Sequence, residues 1–131
     1  MTKKPCAGHN AAIGKMGENL ACNLLTNLGY SIIDRNVKVH HKELDIVAID
    51  SNSLVVVEVK TRSYNTLLDG SWGLNNRKIS NVTSAGYEYA RIHYSDIPVR
   101  FDSVICQQNF DGTFSLHHEK DAFYAPLNKV V

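Results

Sequence analysis

The chain has 131 residues, which suits one domain able to bury its own core. Its 44% hydrophobic and 21% charged content is ordinary for a globular protein, and no apolar run has the length of a membrane-spanning helix. A net charge of +1 excludes a strongly basic domain, so any contact with nucleic acid must come from a local patch.

Residues 1–11 read as a loose N-terminal arm. They carry basic residues but no continuous apolar stretch, so no signal peptide is expected. Cys6, Cys22 and Cys106 are odd in number, widely spaced and without a C-x-x-C pair. That pattern suggests reduced thiols in a cytoplasmic protein, with Cys22 and Cys106 as core residues. Ile13 to Leu28 reads as a helix, with Ile13, Leu20, Leu24 and Leu28 on one stripe and Ala21 and Leu25 beside it. Gly29 is its expected stop.

Strands are expected over Tyr30 to Val39, Glu43 to Ile49 and Leu54 to Thr61, with turn chemistry at Asp50-Ser51-Asn52-Ser53. Ser63 to Asn76 reads as a polar, mobile loop. Asn75 or Asn76 is placed to cap a second helix, Arg77 to His93, whose apolar positions are Ile79, Val82, Tyr89 and Ile92. A fourth strand is expected over Pro98 to Cys106. Asp111-Gly112 signals a hairpin into a fifth, Thr113 to His118. The tail, 121–131, has no assignment, which leaves one domain over 12–120. The order α-β-β-β-α-β-β gives an α/β fold, a mixed sheet flanked by helices.

The third strand, LVVVEVKTR, poses the functional question. Alternation puts Val55, Val57 and Val59 on one face and Val56, Glu58 and Lys60 on the other. In the strand before it, Leu44, Ile46 and Ala48 share one face, and Glu43, Asp45, Val47 and Ile49 the other. A tight turn at Ser51-Asn52 pairs Asp50 with Ser53, and the same register sets Asp45 opposite Glu58 and Glu43 opposite Lys60. Two like charges about 5 Å apart repel by roughly 3 kcal/mol at an effective dielectric near 20. A cation, a shared proton or solvent exposure relieves this, and a hard divalent ion does so most economically. Glu18 lies at the border of the first helix's apolar stripe and is a candidate third acid. The same spacing also suits a solvated ladder with an ordinary Glu43–Lys60 pair, although Val47, Ile49 and Val56 on that face argue against full solvation.

D-x12-E-x-K across a hairpin resembles the PD-(D/E)XK nuclease core of the restriction-endonuclease-like fold. More narrowly, GKMGENLACNLLTNLGYSIIDRN, KELDIVAID, LVVVEVKTR, YEYA and RFDSVI, from Gly14 to Ile105, resemble the YraN-like family of small bacterial proteins. Those are predicted nucleases similar to Holliday junction resolvases. The resemblance implies Asp45, Glu58, the Val59 carbonyl and Glu18 as ligands of Mg²⁺ or Mn²⁺, with Lys60 as the catalytic lysine and Glu43 in support. It implies a metal-dependent endonuclease on DNA, branched substrates included, in which the ion polarises the phosphate and activates water while Lys60 positions it. Arg35, Arg62 and Lys78 match basic positions that meet phosphate. Lys38, His40, His41, Lys42 and Arg77 would add to the patch, although KVHHK is equally readable as a solvated turn. Asn81 stands where the family often has a basic residue. Similar resolvases cut both strands as dimers, so a homodimer is one option.

Two other readings stay open. One is a DNA- or protein-binding module on the same fold, without catalysis. The other is a zinc protein using Cys6 and His9 with the pairs His40-His41 and His117-His118, but no second Cys/His pair has standard spacing. Tyr64 and Trp72 suit either stacking on unpaired bases or packing the loop down. Asp102 reads as a structural acid paired with Arg100 or a helix end.

Overall fold

The computed structural model describes residues 9–64 and 75–126, with side chains in the first helix from Ala12 onward. The elements run α1 (His9–Asn27), β1 (Ser31–Val39), β2 (Lys42–Asp50), β3 (Ser53–Arg62), α2 (Asn76–His93), β4 (Val99–Gln108) and β5 (Phe114–Glu119). This is the expected order, and it forms the α/β architecture of a restriction-endonuclease-like fold. The arm before His9, the loop at 65–74 with Trp72, and the tail beyond Pro126 lie outside the described residues.

The sheet has the order β1-β2-β3-β4-β5. All neighbours are antiparallel except β3 and β4, which run parallel because α2 carries the chain back across the sheet. The Ser51-Asn52 turn pairs Asp50 with Ser53, as expected. Asn75 caps α2, its side chain accepting from the Lys78 N–H at 2.8 Å.

Both faces of the sheet are covered, so β3 is a run of fully buried valines, Val55, Val56 and Val57. Val55 and Val57 pack with Ile46, Ala48, Val104 and Cys106 under Ala21, Cys22 and Leu25 of α1. Val56 packs with Val47, Leu54 and Phe101 under Val82, Ala85 and Tyr89 of α2. Each such side chain contributes about 1.5–3 kcal/mol relative to exposure.

Several details differ from expectation. α1 starts at His9 rather than Ile13, because Ala11 and Ala12 favour helix without adding to an apolar stripe. Its buried positions are Ile13, Gly17, Ala21, Cys22 and Leu25, while Leu28 lies past its end and is exposed. Gly29, at φ 99°, ends the helix as expected, and the Tyr30 N–H closes on the Leu25 carbonyl at 3.0 Å. Ile92 of α2 is exposed rather than in the core. Leu44 packs on the α2 side with Val39 and Val47, whereas Ile46 and Ala48 face α1. Leu44 stays paired with Val37 of β1, which packs against the same cluster, so the two strands change face together beyond the last β2–β3 pair, Ile46–Val57.

Asp102 is the structural acid that its RFDSV context suggested. It is fully buried in the middle of the sheet. Arg100 donates to both its oxygens (Nε at 2.9 Å, Nη2 at 3.1 Å), and Tyr30 Oη, His118 Nε2 and the Asp121 N–H complete its shell. Burial alone would raise its pKa, but Arg100 and the other donors hold it below the usual carboxylate range.

α1 lies tight against the sheet at Gly17. A Cβ there would lie 2.2 Å from Thr61 Oγ1 and 2.9 Å from its Cγ2. The Cys106 thiol donates to the Gly17 carbonyl at 3.3 Å, fixing the same contact from β4. We predict that Gly17→Ala lowers stability by about 1–3 kcal/mol in urea denaturation, despite the better helix propensity of alanine. Thr61→Ala, which removes the nearest clashing atoms, should recover most of that loss. A gain in stability for the single variant would contradict the contact.

Candidate functional site

The site lies where β2 and β3 part. Beyond Ile46–Val57 the strands no longer exchange backbone hydrogen bonds, so Asp45–Glu58 and Glu43–Lys60 are not ladder pairs as the register suggested. Instead the Asp45 carboxylate takes over: its Oδ2 accepts from the Val59 N–H at 2.8 Å. A side chain thus replaces a backbone acceptor at the fork and brings a carboxylate to it.

Glu58 sits across the fork. It points to the α2 face, as Val56 does, and only 6% of it is exposed. Lys78, in the first turn of α2, places Nζ 3.1 Å from Glu58 Oε2. The other oxygen, Oε1, is buried with no hydrogen-bond partner. An unpartnered buried carboxylate oxygen is costly in a native fold and calls for a function or a bound ion.

The electrostatics follow from this crowding. Burial, then the charge of Asp45, push the Glu58 carboxyl up to about 7, against the pull of Lys78 and Lys60. Burial also raises Asp45, while the Val59 N–H and Lys78 oppose the shift. Burial works against the Lys78 ammonium, yet Glu58 and Asp45 together raise its pKa. Two acids competing for charge beside one ammonium are chemically suited to a hard divalent cation. The open Glu58 Oε1 gives such an ion an available donor.

The remaining sequence candidates are distributed unevenly. Lys60 is exposed on the Glu58 face of β3. Glu43 is exposed, adds negative charge near Asp45 and Lys78, and forms no ion pair with Lys60. Glu18 stands on α1, and its Oε1 accepts from Arg35 Nη2 at 2.8 Å and from Asn36 Nδ2 at 3.0 Å. Its charge reaches Asp45, but it does not join Asp45 and Glu58 in one cluster. Among the described residues, no three His, Cys, Asp or Glu side chains converge as a ready-made cage. An ion here would complete its shell with water and substrate oxygens, the usual habit of Mg²⁺.

Arg35 is committed to Glu18 and to Asn19 Oδ1 rather than turned outward. Arg62 is buried at the end of β3. Lys38 and Arg77 are exposed. Lys42 Nζ lies 3.5 Å from Ser84 Oγ on α2. His41, Lys42, Glu43, Lys78, Asn81 and Val82 line a cavity of about 200 Å³ beside the fork. Tyr64 is half exposed, edge-on to Phe110 at 5.8 Å between ring centroids. His117 and His118 line a different cavity, and Cys6 lies outside the described residues. Cys22 and Cys106 are buried free thiols, and burial raises both pKa values, Cys106 to about 11. Neither is poised as a nucleophile.

Sequence reasoning missed Asn19 and Asn36, which orient Arg35 and Glu18. A signal was present, since asparagine tolerates the positive φ of 52° that Asn36 adopts within β1. It also missed that Lys78 would pair with Glu58, because the phase of α2 against the sheet is set by distant packing.

Comparison with known proteins places this geometry in context. Residues 17–106 match a family described as "Uncharacterised protein family UPF0102". A protein of Parabacteroides distasonis is 41% identical over 87% of this chain and 93% of its own length. One from Bacteroides thetaiotaomicron is 43% identical over 92% of this chain and 98% of its own. One from Alkaliphilus oremlandii is 37% identical over 87% and 99%. Each is named only "UPF0102 protein".

The raised pKa of Glu58 carries a stability signature. The folded state holds this proton up to about pH 7, whereas an ordinary glutamate loses it near 4.5. Between those values the folded state binds more protons, so stability is greatest below the window and falls as pH rises through it. In EDTA, Glu58→Gln should flatten that slope and stabilise the protein at pH 8 by on the order of 1–3 kcal/mol. Denaturant titrations at pH 4.5 and 8 measure this, and a variant less stable than wild type at pH 8 would contradict it.

Proposed function

The chain belongs to the YraN-like family UPF0102, whose description names no activity, and from the site itself we propose that it is a metal-dependent endonuclease acting on DNA. The observation that carries this is the buried Glu58 carboxylate, one oxygen unpartnered, across the strand fork from Asp45. That pair is the D-x12-E of the nuclease-like pattern, and Lys60 follows on the same strand face.

In this reading Asp45 and Glu58 would hold Mg²⁺ or Mn²⁺, with the Val59 carbonyl as the further ligand that the family resemblance implies. The bound ion supplies Lewis-acid polarisation of the phosphate and activation of the attacking water. Asp45 is kept in place by the Val59 N–H, so the fork keeps its shape without substrate. Lys60 extends from the Glu58 face into solvent, where it positions water and offsets charge on the phosphate. Glu18, clamped by Arg35 and Asn36, contributes through its field on Asp45 rather than by direct ligation.

Lys38, Lys42, Arg77 and the His40-His41 turn offer basic groups for the DNA backbone, in keeping with a near-neutral chain that must use a local patch. Branched DNA is the substrate class that the family resemblance suggests, and a homodimer would serve symmetric cleavage. The two buried, unpaired thiols suit a reducing cytoplasm. Among the described residues no helix is long and apolar enough to cross a membrane.

A second reading, a binding module on the same fold, is favoured by one observation: no three potential ligands converge among the described residues. Incubation with labelled four-way-junction and duplex DNA in Mg²⁺ separates the two. The nuclease reading expects cleavage that EDTA abolishes and that Asp45→Asn reduces by roughly 10²-fold or more. Equal DNA binding with and without EDTA, and no cleavage in either metal, would leave the binding module.

A further inference from the structure

Lys78 occupies an unusual place for a cation. It stands in the first turn of α2, where no acidic residue is present and where the helix dipole disfavours positive charge. Helix stability therefore does not explain it. Its ammonium instead lies 3.1 Å from Glu58, within the field of Asp45 and Glu43.

The two partners are unequal. The Glu58 side chain is 7% exposed and cannot leave, while that of Lys78 is 48% exposed and can. Lys78 also lines the cavity shared with His41, Lys42, Glu43 and Asn81, which opens beside the fork. A modest rotation of a flexible four-carbon stem would move the ammonium from the carboxylate into that cavity.

We propose that Lys78 is the internal counter-ion of the site: it takes the place of a divalent ion at Glu58 while that ion is absent and turns to the substrate phosphate when the ion binds. This rests on the nuclease reading above. Its physical basis is that one buried carboxylate, beside a second acid, is served by either cation but poorly by both at once. An ion at Asp45 and Glu58 repels the ammonium, and the ammonium, displaced into the cavity where Lys42 and His41 stand beside Glu43, outweighs that one acid and makes the place better suited to a phosphate group. Lys78 is thus a positioning residue that links metal occupancy to substrate binding. By linkage, whatever factor the metal removes from the hold on Lys78, Lys78 removes from the affinity for metal.

The test is Mn²⁺ calorimetry on the full chain, with Lys78→Met, which keeps the stem and removes the charge, and Lys78→Arg, which keeps the charge. Circular dichroism first checks that both are folded. Lys78→Met is expected to bind Mn²⁺ roughly tenfold tighter than wild type, and Lys78→Arg to stay close to wild type. Inorganic phosphate, titrated into the Mn²⁺-loaded proteins, is expected to bind Lys78→Met more weakly than wild type. Equal or weaker Mn²⁺ binding by Lys78→Met overturns the counter-ion role while leaving the metal site intact. Failure of wild type to take up Mn²⁺ at all overturns both this inference and the nuclease reading.

Discussion

The burial of Glu58 beside Asp45 is the constraint on which the rest of the site depends. A carboxylate that is 6% exposed, facing a second acid, belongs to no ordinary sheet. It is tolerated because the strands part at Ile46–Val57, because the Val59 N–H binds one acid, and because Lys78 neutralises the other. Each of these is local, yet each depends on the packing behind it. β3 is locked by valines on both faces, and α1 is pinned against Thr61 through Gly17.

The molecule separates its two kinds of polar burial. At Asp102 every demand is met: Arg100, Tyr30, His118 and a backbone N–H surround the carboxylate and lower its pKa. At Glu58 one oxygen is left open and the pKa rises. The first is how a fold stabilises a charge that it uses as a tether. The second is how a fold holds a group ready for something outside the protein. The difference in hydrogen bonding, at similar burial, sets the candidate functional site apart from the structural one.

Much of the fold was legible in the sequence because its signals are local. The Asp50–Ser53 turn, the Asn75 cap and the Gly29 stop each rest on a few neighbouring residues, and the alternation of β3 follows from strand geometry alone. The pairing of Asp45 with Glu58 was legible only as a neighbourhood. An extrapolated register cannot show that a ladder ends one pair earlier, nor that Leu44 then turns to the other face. The partners of Glu18 and Glu58 were not legible, because Arg35 and Lys78 reach them across elements distant in sequence. Basic residues that looked like surface phosphate contacts divide accordingly. Arg35 and Arg62 are drawn into the fold, while Lys38 and Arg77 stay outside it.

The claim that a divalent ion belongs between these two acids is open to direct view. Anomalous diffraction from crystals soaked in Mn²⁺, collected on wild type and on Asp45→Asn, locates any bound ion without reference to activity. One strong peak is expected within coordination distance of both Asp45 and Glu58, lost in the variant. A wild-type crystal with no peak at the fork, or with manganese only at the histidines of β5, would contradict it.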